Sequence, residues 1–239
     1  PEGGAHQSIN SPLIGLSQPG LASFEPAYAD ELAHIMQWGF GHMQADDGGS
    51  VYLRLSTLAI DQPERDFRAV AEGVLAGAYW LREPAPGAEL ALAYTGVIAP
   101  EAIAAHDALL EDIPGAGLLA VTSADRLYAD WQATTRAHAR PDLDGPNVAP
   151  SHIENLLDRL APDAGLVTVL DGHPATLAWL GGVANHDVAA LGVESFGQSG
   201  NLQDLYRTHG IDADAILDGA AAVITKRMRK RGGRRIAAA

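Results

Sequence analysis

Residues 89–95, Glu-Leu-Ala-Leu-Ala-Tyr-Thr, form a nearly uninterrupted apolar run with the length of one β-strand. Residues 100–112 carry apolar side chains at helical spacing, and residues 117–122, Gly-Leu-Leu-Ala-Val-Thr, form a second apolar run. Two such runs separated by a helix are typical of a βαβ unit in a parallel sheet, because strands covered on both faces are apolar along their whole length. This stretch therefore predicts an α/β fold.

The same alternation continues to the end of the chain. Ser151 is a candidate helix N-cap, and Glu154, three residues later, completes a capping box. The further predicted elements are helices over 124–139, 151–160, 174–181, 201–208 and 212–229, and strands over 165–170 and 189–193. We therefore expect a three-layer fold with a mostly parallel sheet between helices.

The first 66 residues have a different pattern. Residues 1–23 contain scattered Gly and Pro and are predicted to be loop. A helix is predicted over Glu25–Gln44 and a strand over Val51–Leu58, followed by a polar, Pro-containing linker over Ile60–Asp66. The linker separates this part of the chain from the βαβ pattern.

Composition excludes several classes of protein. The chain is 47% hydrophobic and contains no Cys, so a sizeable core is possible, while disulfides, thiolate metal sites and a Cys nucleophile are excluded. No apolar run reaches the roughly 18 residues that span a bilayer, and the N-terminus lacks the features of a signal peptide. We expect a cytoplasmic protein that does not contact the membrane.

The charge is unevenly distributed. The formal net charge is −14, yet seven of the 16 basic residues lie between Lys226 and Arg235. The acidic body repels phosphates, so we do not expect nucleic-acid binding. The basic tail could touch RNA, a membrane surface or an acidic partner, but a solvated, frayed chain end is the expectation.

Four stretches, in order, resemble the transketolase superfamily. They are Gly4–Ser8 (Gly-Ala-His-Gln-Ser), Glu25–Met36, Val51–Leu58 and Gly192–Gly200, which contains Phe-Gly-Gln-Ser. The second stretch is similar to homodimeric-type pyruvate dehydrogenase decarboxylating components. The resemblance implies that residues 1–62 are the C-terminal remnant of a pyrimidine-binding domain, that residues 67–225 are a transketolase-like C-terminal domain, and that residues 226–239 are a basic tail.

The resemblance also implies thiamin diphosphate and Mg²⁺ as cofactors of the full-length parent. The family's Gly-Asp-Gly motif and activating Glu are not found here, and the strings at Asp46–Gly48 and Asp142–Gly145 are predicted to be turns. The chain begins without Met in a Gly-rich loop. We therefore expect a C-terminal fragment that is inactive alone, has no metal site and binds no cofactor by itself.

His6 is the candidate catalytic residue. The resemblance places it in a loop over the thiazolium ring, where an imidazole can move protons near neutral pH. The alternative is a polar loop histidine without a role. His173, after a strand, is a second candidate because open α/β sheets bind ligands there. His34 and His42 are expected at a subunit surface, and His152 at the molecular surface.

The substrate class is predicted from one strand. Transketolases bind sugar phosphates with an Arg at the position where this chain has Leu55. Arg54 is the neighbouring residue, and in a strand its side chain would point to the opposite face from that of Leu55. Ser56-Thr57 resembles the Thr-Thr pair of the pyruvate enzyme. This favours a pyruvate dehydrogenase whose expected partners are the upstream part of its own enzyme, a second copy in a homodimer, and a lipoyl acyltransferase. The alternatives are a transketolase or a non-catalytic dimerisation or regulatory module.

Overall fold

The computed structural model of the chain describes residues 8–140, 148–195 and 199–237, with side chains described up to residue 232. The strands are β1 (Leu21–Phe24), β2 (Ser50–Leu53), β3 (Ala78–Arg82), β4 (Ala88–Thr95), β5 (Gly117–Val121), β6 (Leu160–Leu170) and β7 (Asp187–Leu191). The helices are α1 (Ser11–Ser17), α2 (Ala29–His42), α3 (Phe67–Ala76), α4 (Ala99–Asp112), α5 (Ala124–His138), α6 (His152–Leu157), α7 (Ala175–Ala178), α8 (Gly181–Ala184), α9 (Leu202–His209) and α10 (Ala213–Ala237).

Five strands form the main sheet in the order β3-β5-β4-β6-β7. The pairs β4–β5, β4–β6 and β6–β7 are parallel, and β3 pairs antiparallel with β5. Helix α4 connects β4 to β5, which is the βαβ unit predicted from residues 89–122. The prediction of a mostly parallel sheet is confirmed.

Two apolar layers cover the sheet, one on each face. Alternate residues of β4 separate between them: Leu90, Leu92 and Tyr94 pack with α3, α4 and α10, whereas Ala91 and Ala93 pack with α5, α6 and α7. Alternation follows from the pleat, which turns successive side chains to opposite faces. The fold is therefore three-layered, as expected.

The N-terminal part is more regular than predicted. Residues 11–17 form α1 and residues 21–24 form β1, although the whole segment 1–23 was expected to be loop. β1 pairs in parallel with β2 across α2. The predicted strand over Val51–Leu58 is shorter than expected, because β2 ends at Leu53.

The predicted linker is anchored to the body by Arg65. Its guanidinium lies over the rings of Tyr28 and Tyr79, 4.9 and 5.5 Å from their centroids, and Nη2 donates to Asp30 at 2.8 Å. Arg65 is 3.7 Å from the buried carboxylate of Glu31. A cation held by several rings and two acids connects the N-terminal part to the main sheet.

The basic end of the chain continues α10. Arg227 is 5% exposed and pairs with Glu89 at 2.6 Å and Asp163 at 3.1 Å. Lys226 and Lys230 each lie 2.6 Å from Asp187. These acids lie near the amino ends of β4, β6 and β7, so ion pairs hold residues 226–231 of the helix against that end of the sheet. The prediction of a frayed end is therefore wrong for residues 226–231.

Within the described ranges, no helix is both long and apolar enough to cross a membrane.

Candidate functional site

The carboxyl ends of four strands converge at one place. Glu25 directly follows β1, Arg54 follows β2, Gly96 follows β4 and Asp171 follows β6. Together they line a small cavity of about 110 Å³. In open α/β sheets, ligands bind outside the carboxyl ends of the strands, because the loops there are free to carry functional groups. This edge is the candidate functional site.

An ion pair between Glu25 and Arg54 forms the centre of the site. Arg54 Nη1 donates to Glu25 Oε1, and Arg54 Nη2 lies 4.0 Å from Asp171 Oδ2. The side chains of Glu25 and Arg54 are 11% and 23% exposed, whereas that of Asp171 is 40% exposed. Arg54 therefore links the two-stranded sheet, which carries Glu25, to the five-stranded sheet, which carries Asp171.

Backbone hydrogen bonds fix the positions of both partners. Glu25 N–H donates to the carbonyl of Thr122 at 2.8 Å, and Arg54 N–H donates to the carbonyl of Phe24 at 2.9 Å. The hydroxyl of Thr95 donates weakly to the carbonyl of Glu25 at 3.4 Å. The pair is thus held by the ends of three different strands.

Burial changes the acid–base behaviour of Glu25. Loss of solvation raises the pKa of Glu25 to about 7, although Arg54 lowers it by charge attraction and hydrogen bonding. Asp171 adds a smaller upward contribution. A carboxyl group with a pKa near 7 can both donate and accept a proton at neutral pH.

Gly96 makes room for this carboxyl group. Its φ is +62°, and a Cβ built there would lie 2.6 Å from both Cγ and Oε1 of Glu25. A side chain is therefore disfavoured twice, once by the left-handed backbone and once by contact with Glu25. The carboxyl group of Glu25 therefore occupies the space that a side chain in the turn after β4 would need.

The predicted catalytic histidine, His6, lies outside the described residues. The described chain begins close to the site: the carbonyl of Ile9 accepts a hydrogen bond of 2.9 Å from His173 N–H, in the turn that also carries Asp171. His173 itself is partly buried, and its Nδ1 accepts from Ala175 N–H at 3.2 Å. His173 thus lies on the turn that carries Asp171, and its ring contacts Ala175, the first residue of α7.

Three further histidines of the sequence analysis, His34, His42 and His152, have structural partners. His34 makes an edge contact with Phe67, with ring centroids 5.5 Å apart. His42 accepts from Gly49 N–H through Nε2 at 3.1 Å. His152 Nε2 lies 2.7 Å from the carbonyl of Ala78, and the residue is partly buried, so its ring is anchored to β3 rather than free in solvent.

The donor set does not fit a magnesium diphosphate site. Asp46 and Asp47 lie in the turn after α2, as predicted, and Asp142–Gly145 fall outside the described residues. Across the described ranges there is no group of three or more His, Asp or Glu side chains arranged to hold a metal ion. No catalytic step through a bound metal or cofactor can therefore be assigned to these residues.

Sequence reasoning missed the residues that form the site. The sequence analysis places Glu25 at the start of a motif and Arg54 one position from the cation expected in a transketolase, and it predicts no contact between them. A usable signal was present, because each of Glu25, Arg54, Gly96 and Asp171 directly follows an apolar strand. Which strand ends meet, however, depends on the order of strands in the sheets.

The chain was compared with protein families and with curated proteins. No family model matches. It is 28% identical over 223 residues to a pyruvate dehydrogenase E1 component of Mycolicibacterium smegmatis, covering 90% of this chain and 23% of that protein. It is also 28% identical over 235 residues to the pyruvate dehydrogenase E1 component of Escherichia coli K12, covering 95% of this chain and 25% of that protein. The chain therefore spans about a quarter of the length of these relatives.

Several solved structures that share this fold are transketolases. A chain described as a split gene transketolase, inactive beta4 tetramer, superposes with a TM-score of 0.61 at 18% identity, over 92% of this chain and 62% of that one. A transketolase variant from Pichia stipitis gives 0.66 at 17% identity, over 93% of this chain and 28% of that one. The fold is thus transketolase-like, and the predicted resemblance to this superfamily is confirmed.

Proposed function

We propose that this chain is the C-terminal part of a thiamin-diphosphate-dependent pyruvate dehydrogenase decarboxylating component. The observation that carries the proposal is the sequence similarity to pyruvate dehydrogenase E1 components over 90% or more of the chain. The solved neighbours are transketolases at 15–19% identity, which shows the fold alone. Sequence similarity, not fold, therefore selects pyruvate chemistry over ketose transfer.

The state of Arg54 supports the same choice. A sugar phosphate needs a cation with free hydrogen-bond donors. Arg54 instead donates to Glu25 and lies near Asp171, so part of its binding capacity is already used inside the molecule. A small 2-oxo acid, which has no phosphate, does not require this cation.

Each part of the chain then has a place in the parent enzyme. Residues 1–62 complete a pyrimidine-binding domain, and residues 67–225 form the family's C-terminal domain. His6 transfers a proton at the reacting centre, and thiamin diphosphate with Mg²⁺ is held by the rest of the enzyme. The parent works as a homodimer in the cytoplasm and passes its acetyl group to a lipoyl acyltransferase.

A chimera tests this proposal. The matching C-terminal quarter of the Escherichia coli enzyme is replaced by this chain, and pyruvate-dependent ferricyanide reduction is measured with thiamin diphosphate and Mg²⁺. We expect activity well above that of the truncated enzyme without the replacement. His6→Ala in the chimera is expected to lower turnover by about 100-fold, whereas His138→Ala, an exposed histidine at the end of α5, is the matched control.

Two results would separate the alternatives. Turnover of xylulose 5-phosphate without turnover of pyruvate would favour a transketolase. Equal rates for the His6→Ala and His138→Ala chimeras would show that His6 is a loop residue without a catalytic role. If the chimera assembles as a dimer but is inactive with both substrates, the chain is a dimerisation or regulatory module.

The isolated chain gives an independent check. Titration calorimetry with thiamin diphosphate and Mg²⁺ is expected to show no binding, because the described residues offer no metal-binding group. Micromolar binding by the isolated chain would contradict the proposal that the cofactor is held elsewhere.

A further inference from the structure

Arg54 lies between two acidic side chains that belong to different sheets. Glu25 follows β1 in the two-stranded sheet, and Asp171 follows β6 in the five-stranded sheet. Arg54 Nη1 donates to Glu25 Oε1, whereas Arg54 Nη2 lies 4.0 Å from Asp171 Oδ2. The guanidinium therefore has a close partner in its own sheet and a more distant one across the junction of the two sheets.

A small movement would bring Arg54 into direct contact with the second acid. Charged N–H···O bonds are about 2.7–2.9 Å long, so Nη2 is roughly 1 Å short of a hydrogen bond to Asp171. The side chains of Arg54 and Asp171 are both partly exposed and line the same cavity of about 110 Å³. Among the described residues, Arg54 is the one cation within 4.0 Å of Asp171. Space for the movement and an acceptor for the guanidinium are therefore both present.

Both acids act on Arg54, but only one of them changes charge by reason of its burial. Although burial lowers the pKa of Arg54, the charges of Glu25 and Asp171 raise it above its usual value. Arg54 therefore stays charged throughout the pH range in which the acids titrate. Burial raises the pKa of Glu25 to about 7, so its attraction for the guanidinium is gained or lost in the neutral range.

Other titratable groups face this junction from the neighbouring elements. Burial and the nearby charges of Asp171 and Glu101 raise the pKa of Tyr206, a side chain of α9, so it keeps its proton. Arg54 acts on Tyr206 in the opposite direction. Glu101 of α4 accepts a backbone hydrogen bond of 2.9 Å at the start of α10. His173 lies two residues after Asp171, so an experiment must separate its titration from that of the buried carboxyl group.

We propose that Arg54 changes partner with the protonation of Glu25, so that the two sheets are held together more tightly when Glu25 is protonated than when it is ionised. With an ionised Glu25, the guanidinium stays with the acid of its own sheet. With a protonated Glu25, that attraction is lost, and Arg54 turns to Asp171 across the junction. This exchange of partners is built into the fold and does not depend on the proposed function.

Double-mutant cycles measured by urea unfolding at pH 5 and at pH 8, on either side of the pKa of Glu25, test the exchange. One cycle combines Arg54→Gln with Asp171→Asn, and the other combines Arg54→Gln with Glu25→Gln. From pH 8 to pH 5 the coupling of Arg54 with Asp171, expressed as a factor in the unfolding equilibrium constant, should rise by about threefold or more. The coupling of Arg54 with Glu25 should fall by a similar factor. Arg159 and Glu83, an exposed pair 2.6 Å apart, are the matched control, and their coupling should be equal at both pH values.

Two background variants identify the group that titrates. In a Glu25→Gln chain, the coupling of Arg54 with Asp171 should no longer depend on pH, because the side chain at position 25 has no proton to lose. In a His173→Gln chain, the pH dependence of that coupling should remain.

Hydrogen exchange of the unsubstituted chain gives a second readout that needs no variant to fold. The Glu25 N–H donates to the carbonyl of Thr122 at 2.8 Å, and this bond joins the end of β1 to the end of β5 across the junction. After correction for the intrinsic exchange rate, its protection relative to that of the Leu92 amide in the core should be about threefold lower at pH 8 than at pH 5.

Three results would overturn the proposal. The first is a coupling of Arg54 with Asp171 that is the same at pH 5 and at pH 8. The second is a pH dependence that persists in the Glu25→Gln chain and disappears in the His173→Gln chain, which would assign the titration to His173. The third is equal relative protection of the Glu25 amide at both pH values, which would show that the junction does not respond to the proton.

Discussion

Replacing Gly96 by Ala should destabilise the chain by more than its backbone conformation alone explains. Gly96 has φ +62° and Gly210 has φ +63°, so a Cβ meets the same backbone strain at both positions. That strain amounts to about 1 kcal/mol. The two positions differ in their surroundings: nothing lies within 4 Å of a Cβ at Gly210, whereas at Gly96 it would lie 2.6 Å from Glu25.

The extra cost follows from the movement that this contact forces. Atoms at 2.6 Å must separate toward ordinary contact at 3.4 Å or more, and the atoms concerned belong to the carboxyl end of Glu25. Moving that group disrupts the pair with Arg54. Breaking a fully buried ion pair costs about 3–5 kcal/mol, and the partial exposure of Arg54 reduces this to about 2 kcal/mol. We therefore expect about 3 kcal/mol for Gly96→Ala and about 1 kcal/mol for Gly210→Ala.

Urea unfolding followed by tryptophan fluorescence at pH 8, where Glu25 is ionised and paired with Arg54, measures both values. The double variant Gly96→Ala with Glu25→Ala supplies a further test, because removing the carboxyl group removes the contact. Its destabilisation should be smaller than the sum of the two single effects by about 1 kcal/mol or more. Equal destabilisation by Gly96→Ala and Gly210→Ala would refute the interdependence of the turn and the ion pair.

Three further predictions concern other parts of the molecule. Because the folded state keeps the proton of Glu25 between pH 4.5 and about 7, where the unfolded chain has lost it, this group makes stability fall as pH rises through that range; Glu25→Gln should remove up to about 3 kcal/mol of the difference between urea unfolding at pH 5 and at pH 8. Arg227→Ala should lower the free energy of unfolding by about 2 kcal/mol, because it removes the buried partner of Glu89 and Asp163. Arg229→Ala, at an exposed position of the same helix, should lower it by less than about 0.5 kcal/mol, and thermal unfolding of the two variants compares them. Ser151→Ala should cost about 1 kcal/mol in urea unfolding by removing the N-cap of α6, and an unchanged midpoint would contradict the capping box.

After residue 88, β6 begins at Leu160, earlier than the predicted 165, and the predicted helix over 174–181 is two short helices, Ala175–Ala178 and Gly181–Ala184. The elements that agree best with the prediction have local signals. The strand at residues 88–95 and the helix at residues 99–112 are each within one residue of the predicted bounds. The capping box of Ser151 and Glu154 is present with both of its hydrogen bonds. In each case the deciding interactions join residues only a few positions apart, so a single sequence contains them.

Errors occurred where distant contacts decide the local structure. β1 has only four residues and is held by pairing with β2, so the glycines and prolines around it predicted loop. The segment 226–231 is helical to its end because Arg227 reaches Glu89 and Asp163 across the sheet. A run of basic residues by itself does not show which acidic side chains it will contact in the folded chain.

The sequence by itself determined the α/β class, the parallel direction of the central strands, and the resemblance to the transketolase superfamily. These three conclusions rest on periodicity and on motifs, and both signals come from residues that are close together in the sequence. Only the tertiary structure showed that Glu25, Arg54, Gly96 and Asp171 meet, because strand order in the two sheets brings together residues far apart in sequence. The same folding removes water from Glu25, so its raised pKa is a property of burial that no local pattern contains.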